Sequence, residues 1–157
     1  RGISLEQSKE WPRAESDFLK ALDLNADHPL VLNYLGYSWV DRGQNLERAQ
    51  QMIVKAVALR PNDGYIADSL GWVYYKVGKY KDAVKELDRA VELLPADPII
   101  NDHLGDAFWR VGRVREAQFQ WNHVLGLNPK PELEARVKTK LKVGLKDAAQ
   151  AKAGNGG

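Results

Sequence analysis

One dipeptide returns along the chain at a nearly fixed interval and decides what it can fold into. Leu-Gly stands at Leu35-Gly36, Leu70-Gly71 and Leu104-Gly105, and Arg1-Gly2 falls in the same register, so that successive glycines are 34, 35 and 34 residues apart. A period of this length belongs to arrays whose unit is a small supersecondary module. Such a module cannot bury its apolar face alone and does so against its neighbours.

Other positions move with the glycine. Three residues later stand the aromatics Trp39, Tyr74 and Phe108, and seven later come Gly43, Gly78 and Gly112. A glycine there ends a helix in the left-handed conformation that other residues avoid. Ala14, Ala83 and Ala117 lie twelve after the repeat glycine, Phe18, Leu87 and Trp121 sixteen after it, and Ala21, Ala90 and Val124 nineteen after it. Small and large residues thus alternate, as two closely crossing helices require. Ala26, Pro95 and Pro129 follow at twenty-four, where proline punctuates the boundary between units. In the unit of Gly36, Ala49, Ile53, Ala56 and Pro61 all arrive one residue late. The insertion falls between Gly43 and Ala49, in the turn Gln44-Asn45-Leu46, where one extra residue costs little.

Leu-Gly, aromatic, Gly, Ala, large apolar, Ala and Pro at these offsets resemble the tetratricopeptide repeat family over about residues 1–131. The early tryptophan of the family pattern is replaced by Leu32, Ala67 and Asn101. The segments around Leu35-Gly36, Leu70-Gly71 and Leu104-Gly105 are also similar to the C-terminal repeats of bacterial multi-repeat proteins, some of them envelope-associated. The resemblance implies an all-α fold: a right-handed superhelical solenoid of antiparallel helix pairs with a C-terminal capping helix. It divides the chain into a partial repeat at 1–28, repeats at 29–63, 64–97 and 98–131, a capping helix at 132–147 and a disordered tail at 148–157, all one domain.

The expected helices run over 12–24, 29–42, 46–59, 64–77, 81–94, 98–111 and 115–127, followed by a last one from Pro131 to about Leu145. On that last helix Leu133, Val137 and Leu141 share a stripe, with Arg136, Lys138, Lys140 and Lys142 elsewhere. The chain begins in mid-repeat and without Met, which reads as a fragment of a longer protein. No apolar run is long enough for a membrane span, so a soluble bacterial protein of cytoplasm or periplasm is expected, with no membrane insertion by this part. The absence of cysteine removes disulfides, thiol catalysis and the usual structural zinc sites.

In the family's superhelix the first helix of each pair lines the concave groove. One stripe of these helices is used for packing: Leu35, Trp39 and Arg42, then Leu70, Tyr74 and Val77, then Leu104, Phe108 and Val111. A second stripe carries Leu30, Asn33, Tyr37, Val40 and Asp41, then Tyr65, Asp68, Trp72, Tyr75 and Lys76, then Ile99, Asp102, Asp106, Trp109 and Arg110. Rings supply large contact area at little rotamer cost, and aspartates accept hydrogen bonds, so Asn33, Tyr37, Asp41, Tyr65, Asp68, Trp72, Tyr75, Lys76, Asp102, Asp106, Trp109 and Arg110 form the expected partner-binding set. Packing between adjacent first helices is the alternative role for any single ring, and a solvated face or helix cap for any single Asp. Asp68, Asp102 and Asp106 would repel a terminal carboxylate, which disfavours the family's carboxylate-clamp ligands and favours basic or neutral ones.

No catalytic site, cofactor or metal is expected. His28, His103 and His123 form no His-Glu-x-x-His pair, and in the group Asp102, His103 and Asp106 the adjacent Asp102 and His103 point about 100° apart on a helix. Gly71 to Gly78-Lys79 has the wrong spacing for a phosphate loop and lies on a helix. The chain holds 23 Lys and Arg against 21 Asp and Glu; residues 130–152 take seven and three of these, so the remainder has 16 and 18, a net charge of −2. A nucleic-acid partner is therefore not expected, and the basic ridge of Lys138, Lys142 and Lys146 reads as a solvated face. Two functions remain open: a non-enzymatic scaffold binding a peptide segment or helix of another protein, or self-association through an N-terminal edge built on Trp11 and Phe18.

Overall fold

The computed structural model describes residues 10–145, which hold eight α-helices and no strand. They are α1 (Trp11–Leu24), α2 (Pro29–Arg42), α3 (Leu46–Leu59), α4 (Gly64–Lys76), α5 (Tyr80–Leu93), α6 (Pro98–Arg110), α7 (Val114–Leu125) and α8 (Pro131–Val143). The Arg1-Gly2 register, Lys146 and the expected tail at 148–157 lie outside the described residues.

Local chemistry sets the helix starts. Asp63 accepts hydrogen bonds from the Tyr65 and Ile66 amides and Asp97 from that of Ile100, each satisfying donors that have no partner within the helix. Proline opens α1, α2, α6 and α8, where its missing N–H costs nothing. At the other ends, Gly43, Gly78 and Gly112 take φ of 69°, 86° and 85°, the left-handed exits expected of them. The extra residue is Asn45. The amides of Gln44, Lys79 and Arg113 bond back to Trp39, Tyr74 and Phe108 in equivalent fashion, but α5 and α7 begin one residue after that bond and α3 begins two after it. Asn45 fills the gap at φ 49°, a conformation asparagine tolerates better than most residues.

The described residues form two compact units, which divide between Pro61 and Asn62. In the first, α1 packs on α2 and α2 on α3. Leu35, Trp39, Ala49, Ile53 and Ala56 are buried, and a Cβ on Gly36 would lie 2.7 Å from Ile53 Cγ1. The Trp39 indole N–H donates to Glu15 at 2.6 Å. Trp11 is buried, with the Arg42 guanidinium 4.6 Å from its ring centre, so it is not the open edge expected of it. Phe18 stacks on Tyr34 at 6.4 Å within the same unit.

In the second unit, α4 pairs with α5, α6 with α7, α5 and α4 both touch α6, and α8 packs on α7. The core joins Ala83, Leu87, Leu104, Ala107, Phe108, Ala117, Trp121 and Val124 to Leu133 and Val137 of α8. The glycine of the register exists because the helices of a pair nearly touch: a Cβ on Gly71 would stand 2.5 Å from Leu87 Cγ, and one on Gly105 2.5 Å from Trp121 Nε1. Gly71→Ala gains about 1 kcal/mol in helix propensity but forces Leu87 or the helix to shift, at about 1–3 kcal/mol. A net loss is expected, read as a lower denaturant midpoint with unchanged slope; a more stable variant would show that the helices cross less tightly.

Helices α4, α5 and α6 end one residue earlier than expected, and α7 and α8 two residues earlier. Helix α7 stops at Leu125, with Gly126 closing on the His123 and Val124 carbonyls, and α8 stops at Val143. Gly144 takes φ 71° there, and the Trp109 ring occupies the place where its Cβ would stand.

Candidate functional site

The second stripe of first helices is where partner-binding residues are expected, and the two units are taken separately. In the first unit, Asn33 of α2 is buried with its Oδ1 lacking a hydrogen-bond partner, Tyr37 is half-buried and Asp41 is exposed. Val40, placed on the same stripe, is buried at 1% exposure and belongs to the core.

In the second unit the stripe is a ladder of rings and cations. Trp72 lies flat against Tyr75, centroids 4.7 Å apart and planes at 6°, and against His103 of α6 at 4.0 Å. Lys76 Nζ sits 5.4 Å from the centre of the Trp72 ring, and the Arg110 guanidinium 5.4 Å from that of Tyr75. Arg110 Nε also donates to the Tyr75 hydroxyl at 2.8 Å. Burial then pushes the Tyr75 phenol up to about 12, assisted by Asp106 and only partly opposed by Arg110. Tyr65 remains 58% exposed near the start of α4 and Ile99 47% exposed near the start of α6. Trp109 packs instead on Trp121 at 5.8 Å and over Gly144.

The aspartates are not bare. Asp68 and His103, 35 residues apart, face each other at 2.8 Å, both buried. Asp102 and Asp106 share one cation: Lys140 Nζ, from the capping helix, lies 2.8 Å and 3.1 Å from the Asp102 oxygens and 3.0 Å and 3.2 Å from those of Asp106. Asp106 Oδ1 also accepts from the Trp121 indole at 3.1 Å. The expectation that these three carboxylates stand open to read a ligand is therefore corrected, because each is buried and already bonded within the unit. The expectation for Lys140 is corrected too. It sits seven residues after Leu133 and three after Val137, on the apolar stripe itself, and that spacing was the one sign in the sequence that α8 would bring a charge inward.

One ammonium between two carboxylates leaves a buried negative charge. Burial, then Asp102, raises Asp106 from 3.8 to about 6 against the opposing pull of Lys140 and His103. Burial works against a charged Lys140 and a charged His103, yet the aspartates outweigh it and raise both, Asp106 leading for the lysine and Asp68 for the histidine. The sign of the linkage follows. The folded state holds a proton on Asp106 up to about pH 6 where the unfolded chain loses it at 3.8, so this contribution to stability is full below 3.8 and declines as pH rises through 6. His103, raised above 6.5, adds a contribution lost as pH rises through its folded value. Urea midpoints measured across this range should decline toward high pH more steeply for the wild type than for Asp106→Asn. Parallel profiles would contradict the assignment.

Beside this network α4, α6 and α8 enclose an open cleft of about 430 Å³. Its wall carries Tyr75, Lys76, Asp106, Arg110, Arg136, Thr139, Lys140, Gly144 and Leu145, so four of its residues come from the first-helix stripe and five from α8 and the two residues that follow it. No helix among the described residues is long and apolar enough to cross a membrane.

Helix pairs crossing at repeat glycines, with a ring-lined first-helix stripe, form an all-α repeat array with the fold of tetratricopeptide-repeat solenoids. The family model described as TPR repeat matches residues 71–112. The chain is 34% identical over 87 residues to a TPR repeat-containing protein of Pseudomonas aeruginosa, a match that takes in 55% of this chain and 15% of that protein's length. Among solved structures, MamA residues 41 to the end from Desulfovibrio magneticus RS-1 superpose with a TM-score of 0.69 at 24% identity, over 80% of this chain and 71% of that one. The first TPR of Spaghetti (RPAP3) bound to an HSP90 peptide, SRMEEVD, gives 0.66 at 20% identity, over 77% and 93%. The type III secretion translocator chaperone SycD of Yersinia enterocolitica gives 0.69 at 20% identity, over 80% and 97%. These likenesses establish the fold.

Proposed function

We propose that the chain is a protein-interaction scaffold that holds a peptide segment or helix of another protein on the first-helix stripe, without catalysis of its own. The observation that carries this is the ladder Lys76–Trp72–Tyr75–Arg110: cations and rings held in fixed register by stacking and by the Arg110–Tyr75 hydrogen bond. Partly exposed rings with few remaining rotamers lose little entropy on binding, and the planar Arg110 guanidinium and the Lys76 ammonium beside them orient polar groups of a ligand. Tyr65 and Ile99 add exposed apolar area on the same two helices. Asn33, Tyr37 and Asp41 on α2 belong to the same proposal for the first unit, as do Asp68, Asp102, Asp106 and Trp109 in the role of a rigid backing for the ladder. The RPAP3 domain bound to a peptide is a protein of this fold in which a segment is held, and it supports the reading.

A displayed random-peptide library selected on the intact chain tests it. Enriched peptides are expected, and Tyr65→Ala combined with Lys76→Ala should weaken their binding roughly ten-fold, as truncating two contacts of ordinary strength does. Both positions are exposed, so melting temperature should hold. Selection of no peptide, or binding indifferent to both substitutions, would sink the proposal.

A further inference from the structure

The cleft beside the ladder differs in charge from the stripe as read in the sequence. Four cationic side chains line it, Lys76 from α4, Arg110 from α6, and Arg136 and Lys140 from α8, against the single carboxylate of Asp106. That carboxylate is held by Lys140 and Trp121 and faces its own ammonium. Among the described residues no carboxylate pairs with Lys76, Arg110 or Arg136: the first lies over the Trp72 ring, and the second donates to a phenol. Lys76 and Arg136 are exposed, on two different helices. Between the cations lie the Tyr75 ring and the buried Leu145, so the wall is also apolar in part.

We infer that this cleft, walled by the capping helix together with α4 and α6, receives an acidic segment of a partner protein, its side-chain carboxylates meeting Lys76, Arg110 and Arg136 and a neighbouring apolar side chain meeting Tyr75 and Leu145. The inference rests on the scaffold reading above and gives that partner a charge. Complementarity of sign selects the occupant. The chain's own residues 146–157 carry Lys146 and Lys152 against Asp147, the same sign as the cleft, and are the wrong occupant. A nucleic acid needs a basic stripe that tracks many phosphates, whereas the chain outside 130–152 has a net charge of −2. The inference also reverses the ligand charge expected from sequence, because the carboxylates on which that expectation stood are buried and held by Lys140 and His103.

Fluorescence anisotropy on the intact chain tests it with four labelled probes: a short glutamate-rich peptide containing leucine, with both ends blocked, its glutamine and lysine counterparts, and a single-stranded oligonucleotide. The acidic peptide is expected to bind best, to weaken with salt, and to lose roughly ten-fold or more in affinity to Lys76→Glu with Arg136→Glu. Lys76→Gln and Arg136→Gln, each with a smaller loss, stand in if the double reversal fails to fold. Equal binding of the glutamine peptide, or indifference to these substitutions, overturns the inference, as does tighter binding of the oligonucleotide. If library-selected neutral or basic peptides bind while the acidic one does not, the inference fails and the scaffold reading survives. If no peptide binds, both fail.

Discussion

Replacing Lys140 by alanine is expected to lower the stability of the second unit by about 3–5 kcal/mol, the range for removing one partner of a buried ion pair. The side chain is 16% exposed and serves two carboxylates at 6% and 9% exposure, so its loss leaves two buried negative charges 34 and 38 residues away in sequence with no cation between them. The packing lost by truncation is small beside this. A triple variant, Lys140→Met with Asp102→Asn and Asp106→Asn, removes charge and partner together and should recover most of the loss, since a buried pair exchanged for neutral groups of similar volume is often close to neutral in stability. The deficit of Lys140→Ala should shrink in mild acid, where Asp106 takes up its proton. Urea unfolding of the three proteins at two pH values measures all of this. If Lys140→Ala is as stable as the wild type, the bridge of α8 to α6 is not what seats the capping helix.

Trp121→Ala is expected to cost about 3–5 kcal/mol, the range for truncating a fully buried large aromatic. The indole fills the gap left by Gly105, packs at a tilt on Trp109 and donates its N–H to Asp106, so alanine opens a cavity and strips a donor from that buried carboxylate, leaving it Lys140 alone. Adding Gly105→Ala to that variant supplies the Cβ for which Trp121 leaves no room. The second substitution should therefore destabilise the wild type but not the Trp121→Ala background. Equal costs in both backgrounds, read from thermal or urea unfolding, would show that the two positions do not share the crossing.

Much of the fold was legible because it repeats. Gly36, Gly71 and Gly105 mark the crossings, Gly43, Gly78 and Gly112 the exits, and both roles follow from steric rules that act on single residues and their near neighbours. The one-residue slip after Gly43 was legible for the same reason, and only its placement at Asn45 needed backbone geometry. The candidate site was legible in part. The rings of Trp72, Tyr75 and Tyr65 stand on the expected stripe with useful exposure, whereas Trp109 was drawn into contact with Trp121 and Gly144. His103 gave little sign of its pairing with Asp68, because helical spacing relates residues three or four apart and says nothing of a partner on another helix.

Sequence alone determined the period, the helix pairs, their caps and their apolar faces, since each depends on contacts within a turn or between adjacent helices of one repeated unit. Tertiary structure decided where the charges go. Lys140 reaches Asp102 and Asp106 only once α8 has docked, and in doing so it turns an apparent row of open carboxylates into a buried, bonded network beside a cationic cleft. The reason is physical: burial of a charge is set by every element that packs around it, and the energy of that burial is long-ranged where hydrophobic period is local.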